Sequence, residues 1–155
     1  MPKHQTTRTV AHSAEQMFEL VADVEKYPLF VPLCESLRVR QRDERDGKIV
    51  LLADMTVAYS FFRDTFTSRV TLDEAGRTIF VEYINGPFKS LQNRWRFTPL
   101  TETTSEVDFF IEWEMKSRTL GAVVGAVFER AFRRFATAFE ARADRVYRPA
   151  QMVGV

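Results

Sequence analysis

The strongest constraint on this chain is a change of hydrophobic period near Lys116. Upstream of it the period is two. Leu37 and Val39 alternate with Arg38, Arg40 and Arg42, and after Asp46-Gly47 the residues Ile49, Leu51, Ala53, Met55 and Val57 continue the pattern. Such alternation marks strands with one buried face. The run from Tyr59 to Leu72 sets Phe62, Phe66, Val70 and Leu72 on one side and Arg63, Thr65, Thr67 and Arg69 on the other, which places Asp64 on the apolar face. Further strands are predicted over 78–84 after Ala75-Gly76, over 91–97 after Gly86-Pro87, and over 106–115, where Val107, Phe109, Ile111, Trp113 and Met115 share a face. Every link is short, so the pairing is antiparallel.

Downstream the period becomes helical. Ser117 to Tyr147 is a stretch of about 31 residues, or about 46 Å of helix. Leu120, Val124, Val127, Phe128, Ala131, Phe135, Ala138, Phe139 and Val146 fall on one broad stripe, opposite Glu129, Arg133, Thr137, Glu140 and Asp144. At the other end of the chain, residues 4–10 read as a first strand, and Ser13 with Gln16 forms a capping box ahead of a short helix ending near Asp23. Pro28 and Pro32 bracket Leu29, Phe30 and Val31, which bars a long regular helix there and predicts a bent segment. A strand, small helices, six strands and one long helix pack most economically as an α+β domain in which a strongly curved antiparallel sheet grips the C-terminal helix. A sheet curved in this way does not press on the helix along its whole length, and an apolar chamber is the expected remainder. The domain is expected over 1–148, with a short flexible tail over 149–155.

Composition narrows the class. At 155 residues, 45% hydrophobic and 28% charged, the chain is neither disordered nor of low complexity, and six Gly with six Pro exclude a collagen-like repeat. No run of about 18 apolar residues is present to cross a bilayer, and MPKHQTTRTV lacks a secretory segment. The expectation is a cytoplasmic protein. A lone Cys34 forms no internal disulfide, and His4 and His12 have no companion set for zinc. No Gly-rich phosphate loop, paired catalytic carboxylates or metal-ligand cluster is visible, so the expectation is no catalytic residue, no metal and no covalent cofactor. Net charge is +1, yet residues 116–148 hold eight Lys or Arg against three Asp or Glu, about +5, which leaves the remainder at −4.

The order of elements then meets three local strings: YPLFVPLCES over 27–36, FTSRVTL over 66–72 and NGPFKSLQNRWRF over 85–97. With AFEARADRVY over 138–147, they make the chain resemble the coenzyme Q-binding proteins of the START-like lipid-transfer superfamily, a group filed with polyketide cyclases. The resemblance covers residues 4–147. Leu33 departs from it, since Trp stands at that place in a family member. The resemblance implies a helix-grip (START-like) fold, ubiquinone as a bound ligand, and a chaperone or carrier role supporting respiration. A monomer is expected, with peripheral contact at the inner membrane as a further expectation from the basic helix end and the Pro-braced loop. The bacterial branch also contains toxins that block ribosome subunit association, so the ribosome is the alternative partner.

Individual residues carry two readings each. Phe128, Phe132 and Phe135 on the helix, with Phe62, Phe66, Trp95 and Trp113 on strands and Val124 nearby, are candidates to line the chamber or to be plain core. Tyr27, Phe30 and Val31 form either a mouth facing a membrane or a clasp closing the core. Gly86, Pro87 and Phe88 suit either a tight turn at the opposite lip or a bare turn with no part in a site. Gly121 and Gly125 each cost about 1 kcal/mol of helix propensity relative to Ala, and close approach of another backbone explains that more simply than a loosened helix. Arg94 and Arg96 facing Asp108, Glu112 and Glu114 suit cross-strand ion pairs. Arg130, Arg133, Arg134, Arg142, Arg145 and Arg148 offer either a face for lipid headgroups or ribosomal RNA, or a solvated helix surface.

Overall fold

The structure, a computed structural model, describes residues 2–147. Arg148 and the tail over 149–155 lie outside them. The elements in chain order are β1 (Lys3–Val10), α1 (Ala14–Ala22), a 3-10 turn (Val24–Leu29), β2 (Cys34–Arg45), β3 (Lys48–Tyr59), β4 (Phe62–Asp73), β5 (Thr78–Asn85), β6 (Phe88–Pro99), β7 (Ser105–Met115) and α2 (Arg118–Val146). All seven strands belong to one antiparallel sheet in the order β1-β7-β6-β5-β4-β3-β2. Six consecutive strands thus form a meander, and β1 closes it by pairing with the last. This is the curved α+β sheet with a long C-terminal helix that the periodicity predicts.

Local chemistry sets the boundaries. Ser13 Oγ accepts from the Gln16 backbone N–H while Gln16 Oε1 accepts from Ser13, so the capping box forms in full. Asp46 and Gly47 take φ of 52° and 77°, the pair of positive values that a two-residue hairpin between right-twisted strands requires. Tyr59 does not begin the fourth strand; it ends β3 opposite Phe62, and Ser60 at φ 54° makes the turn between them. Gly86 is irreplaceable on steric grounds: at φ 146° an added Cβ would lie 2.4 Å from Phe66 Cβ. Register shifts in β2, between β4 and β5, and at the start of β6 insert the bulges that bend the sheet around α2. The bulge at Phe88/Ser90 also moves the inward phase by one residue, so β6 begins three residues before the alternation alone suggests.

Helix α2 starts at the Ser117 cap, whose Oγ accepts from Leu120 N–H, and buries Val124, Phe128, Ala131, Phe132, Ala136, Phe139 and Ala143 against the concave face. Val146 belongs to the expected stripe but is exposed, while Ala143 one turn earlier is buried and Tyr147 beside it packs against the core. The cross-strand ion pairs expected of Arg94 and Arg96 do not form among the described residues. Arg94 instead stacks over the Phe110 ring at 4.7 Å, since the register sets it opposite Phe110, and Asp108 accepts from Thr7 Oγ1 at 2.6 Å. Asp64 keeps the inward phase of β4 yet is exposed and accepts from the Thr65 N–H; the β3–β4 register is unbroken at this point.

The close-approach account of the two helix glycines fails. A Cβ on Gly125 would meet nothing within 4 Å, and one on Gly121 would make only an ordinary 3.6 Å contact with Met115. Gly125→Ala is therefore expected to stabilise the protein by about 1 kcal/mol, raising Tm by about 2–4 °C, as read by thermal denaturation. Cys34, buried at the head of β2, has its thiol pushed up to about 11 by burial. It is neutral when folded and ionises first when unfolded, so stability is retained below the unfolded thiol's range and lost as pH rises towards 11. Alkylation of native protein near neutral pH should accordingly be slow beside the unfolded chain, with denaturation curves showing falling stability above about pH 9.

Candidate functional site

The concave face of the sheet and the underside of α2 enclose an apolar cavity of about 80 Å³. Its position follows from strand phase. Ala53, Met55 and Val57 of β3, Phe66, Ser68 and Val70 of β4, Val81 of β5, Leu91, Asn93 and Trp95 of β6, and Ile111 of β7 all point inward and form the floor. Phe128, Ala131, Phe132, Phe135 and Phe139 of α2 form the roof, one helical turn apart or nearly so. Val24, Tyr27, Pro32, Leu33 and Leu37 close the side beside β2.

Six of the twelve predicted ligand-binding residues meet in this wall: Tyr27, Phe66, Trp95, Phe128, Phe132 and Phe135. The other six stand around it. Phe30 lays its ring against Tyr27 and Phe139, with centroids 6.0 and 5.0 Å away, and Val31 is buried behind it in the core. Phe62 and Phe88 each pack edge-on against Phe128 from the outer side. Phe88 is wholly buried under the Gly86-Pro87 turn, where its N–H donates to the Tyr83 hydroxyl, so it is no lip. Trp113 packs edge-on behind Phe132 with ring centroids 4.7 Å apart, and Val124 is core. Alternation identifies which residues face inward, but it does not say which of them touch the void and which touch one another.

The segment over 27–33 is a clasp. The Tyr27 hydroxyl donates to the Val21 carbonyl, its ring meets Phe139 edge-on at 5.2 Å, and burial raises its pKa well above the ordinary phenol value. Leu29 alone in this segment is strongly exposed. Leu33 adopts φ 67° and turns its side chain into the cavity, a wall position that ordinary loop chemistry does not announce.

The wall's electrostatics are as telling as its shape. No Asp, Glu, His, Lys or Arg lines it, and the lining side chains that carry a polar atom are Tyr27, Ser68, Asn93 and Trp95. Tyr27 is already engaged. Asn93 donates from Nδ2 to the Phe110 carbonyl and accepts from Trp95 Nε1. Ser68 Oγ is buried with no hydrogen-bond partner. Such a wall is suited to neutral apolar matter, and no carboxylate, imidazole, ammonium or guanidinium faces the space. Among the described residues no group of three His, Cys, Asp or Glu is placed to hold a metal ion.

The histidines and the basic face lie elsewhere. His12 is fully buried near the end of β1, with Nε2 2.7 Å from Asp144 of α2, and its carbonyl accepts from Ser105 Oγ. His4 is held below the ordinary imidazole value by partial burial and by the Arg133 charge. Of the basic end, Arg133 pairs with Glu129 at 3.3 Å, and Arg142 lies over the Phe30 ring at 5.4 Å. Arg130 and Arg134 are exposed and make no ion pair among the described residues.

Comparison with known proteins places this architecture. Over 147 residues the chain is 33% identical to the ribosome association toxin RatA of Escherichia coli, spanning 95% of this chain and 90% of that one. It is 26% identical to the mitochondrial coenzyme Q-binding protein COQ10 homolog B of Xenopus laevis, across 94% of this chain and 59% of that protein. Among solved structures, the 18 kDa protein CC1736 of Caulobacter crescentus superimposes with a TM-score of 0.75 at 37% identity, covering 95% and 99% of the two chains. The Zhui aromatase/cyclase of a Streptomyces species shares the fold, with a TM-score of 0.78 at 24% identity and 99% of each chain covered. The family model described as "Polyketide cyclase / dehydrase and lipid transport" matches residues 10–140. A seven-stranded grip on one helix, an uncharged cavity beneath it and these matches agree: the chain belongs to the polyketide cyclase/dehydrase and lipid transport family of START-like proteins, in the part that holds the RatA and coenzyme Q-binding branches.

Proposed function

We propose that this protein is a non-enzymatic carrier or chaperone of a neutral isoprenoid lipid, with ubiquinone as its ligand, held between the sheet and α2. The observation that carries this reading is the cavity wall, which is aromatic and aliphatic and contains no ionised group. An aromatic polyketide cyclase would need an acid and a base at its substrate, and this wall offers neither. The likeness to a coenzyme Q-binding protein adds support for the ligand class. At about 80 Å³ the space is well below the ~300–1,000 Å³ of ordinary ligand sites. A ligand with a tail therefore enters by parting the roof. The first turns of α2, with Gly121 and Gly125 and open space beside Gly125, are where the roof gives most cheaply.

Lipid extraction and mass spectrometry of protein purified from a quinone-producing host is the direct test. Wild type should carry ubiquinone. Ala131→Leu puts three carbons into the cavity from the roof, and should abolish that occupancy while changing stability by no more than about 1–3 kcal/mol. Wild type that carries no quinone and takes none up on titration would end the carrier reading.

A second reading rests on the outer face of α2. Arg130 and Arg134 point to solvent one turn apart without ion-pair partners among the described residues, and the chain's 33%-identical relative is named a ribosome association toxin. Regulation of translation by association with ribosomal RNA fits that face. The double variant Arg130→Glu/Arg134→Glu should lose cosedimentation with the large ribosomal subunit, and the milder Arg130→Ala/Arg134→Ala should lower the slope of log affinity against log salt by about 2. Quinone occupancy should be unchanged in both, since neither residue lines the cavity. Equal cosedimentation of variant and wild type would exclude this face.

A further inference from the structure

We infer that Ser68 is the polar anchor of the cavity, and that its hydroxyl binds a ring oxygen of a neutral ligand carried ring-first into the sheet. This rests on the carrier reading above and deepens it by assigning orientation and headgroup class. Ser68 lies on β4 between Phe66 and Val70 in the inward phase and is only 6% exposed. It lines the cavity, yet its Oγ has no partner. A buried hydroxyl in that condition costs stability in the empty protein, and Val or Ala in its place would avoid the cost.

The surroundings leave room for a partner on the cavity side. The β3 residue paired with Ser68 is Ala53, the smallest side chain on the floor, and it too lines the void. On the other flank the β4–β5 register shift falls at Thr67/Ser68, so that Ser68 pairs with Tyr83. Bulges re-aim side chains and cluster beside functional sites. Tyr83 does not serve as the missing partner; its hydroxyl lies by the Phe88 N–H, which donates to it. Asn93, across Val81 on β6, is the second polar residue of the floor, and its amide is fixed by Phe110 and Trp95.

A hydroxyl both donates and accepts, so Ser68 serves a carbonyl oxygen or a hydroxyl alike. It does not neutralise a charge, and no cation lines the wall to do so. Carboxylate and phosphate headgroups are thereby excluded from the floor, because an ion there would be desolvated without a counter-ion. What remains is a neutral ring bearing oxygen, lying deep, with its hydrocarbon tail directed out past the roof.

The test compares two probes of one tail length, decylubiquinone and decylbenzene, by calorimetric titration of wild type, Ser68→Ala and Ser68→Thr. Wild type should prefer decylubiquinone. Ser68→Ala should weaken decylubiquinone roughly 3- to 10-fold and leave decylbenzene unchanged. Ser68→Thr, which keeps the hydroxyl, should retain the preference for decylubiquinone over decylbenzene. The ligand-free Ser68→Ala protein should melt at the wild-type temperature or above it, since no protein hydrogen bond is lost. Decylubiquinone binding Ser68→Ala as tightly as wild type would overturn the anchor while leaving the carrier intact. A substantially lower melting temperature for ligand-free Ser68→Ala would also overturn it, by showing that the hydroxyl is already satisfied. Failure of wild type to bind either probe would overturn the carrier reading and the anchor together.

Discussion

Everything in this molecule depends on burying one stripe of one helix. α2 spans 29 residues and presents Val124, Phe128, Phe132, Phe139 and Ala143 along a single side. Alone in water such a stripe has nothing to cover it, and a flat sheet would touch it along a narrow line. The bulges in β2, beside Ser68 and at Phe88 bend the sheet until it wraps the stripe. Aromatic rings then bridge the remaining gap edge to face. Phe139 meets Trp95 at 4.8 Å, Phe132 meets Trp113 at 4.7 Å and Phe128 meets Phe88 at 5.2 Å. The cavity is what this compromise leaves between a straight rod and a curved wall.

The grip is uneven along the rod. Towards the C-terminus, α2 is tied by polar contacts to the first strand and its following loop: Glu140 to Arg8 at 2.7 Å, Asp144 to the buried His12 at 2.7 Å. Ser105 of β7 holds the His12 carbonyl from behind. Over residues 118–128, by contrast, no side chain makes a hydrogen bond or ion pair among the described residues, and both glycines fall there. Polar ties have fixed geometry, so the C-terminal part of α2 is pinned to the first strand and its loop, while the N-terminal part is held by apolar packing such as that of Val124 and Phe128. The proposed carrier role would use that asymmetry, since a wall held by apolar packing at one end can part without loss of the ties at the other.

Much of this was legible in the sequence, and the boundary of legibility is physical. Period two and period 3.6 depend only on which side of an element meets water, so seven strands, the capping box and the long helix could be read from residue order. Strand ends could not, because Tyr59 and Phe62 are both apolar and only the positive φ of Ser60 separates them. Phase likewise told which residues face inward but not which reach the void: Trp95 does, and Trp113 stands behind Phe132. Arg94 illustrates the same limit. Its charge suggested an acidic partner, while register brought it an aromatic ring. Ser68 left no signal, because a serine amid apolar residues on a strand is unremarkable until its hydroxyl is seen without a partner.

The two candidate roles use opposite sides of one helix, and electrostatics keeps them apart. Desolvation bars charge from the underside of α2, so Phe128, Ala131, Phe132, Phe135 and Phe139 answer only to the size and polarity of what fills the cavity. The outer side answers only to what water and salt permit, and there the carboxylates are already committed, Glu129 to Arg133, Glu140 to Arg8 and Asp144 to His12. Arg130 and Arg134 are exposed and make no ion pair among the described residues, so they stand on this side as positive sites. The helix therefore works as a partition between an uncharged interior and a cationic exterior.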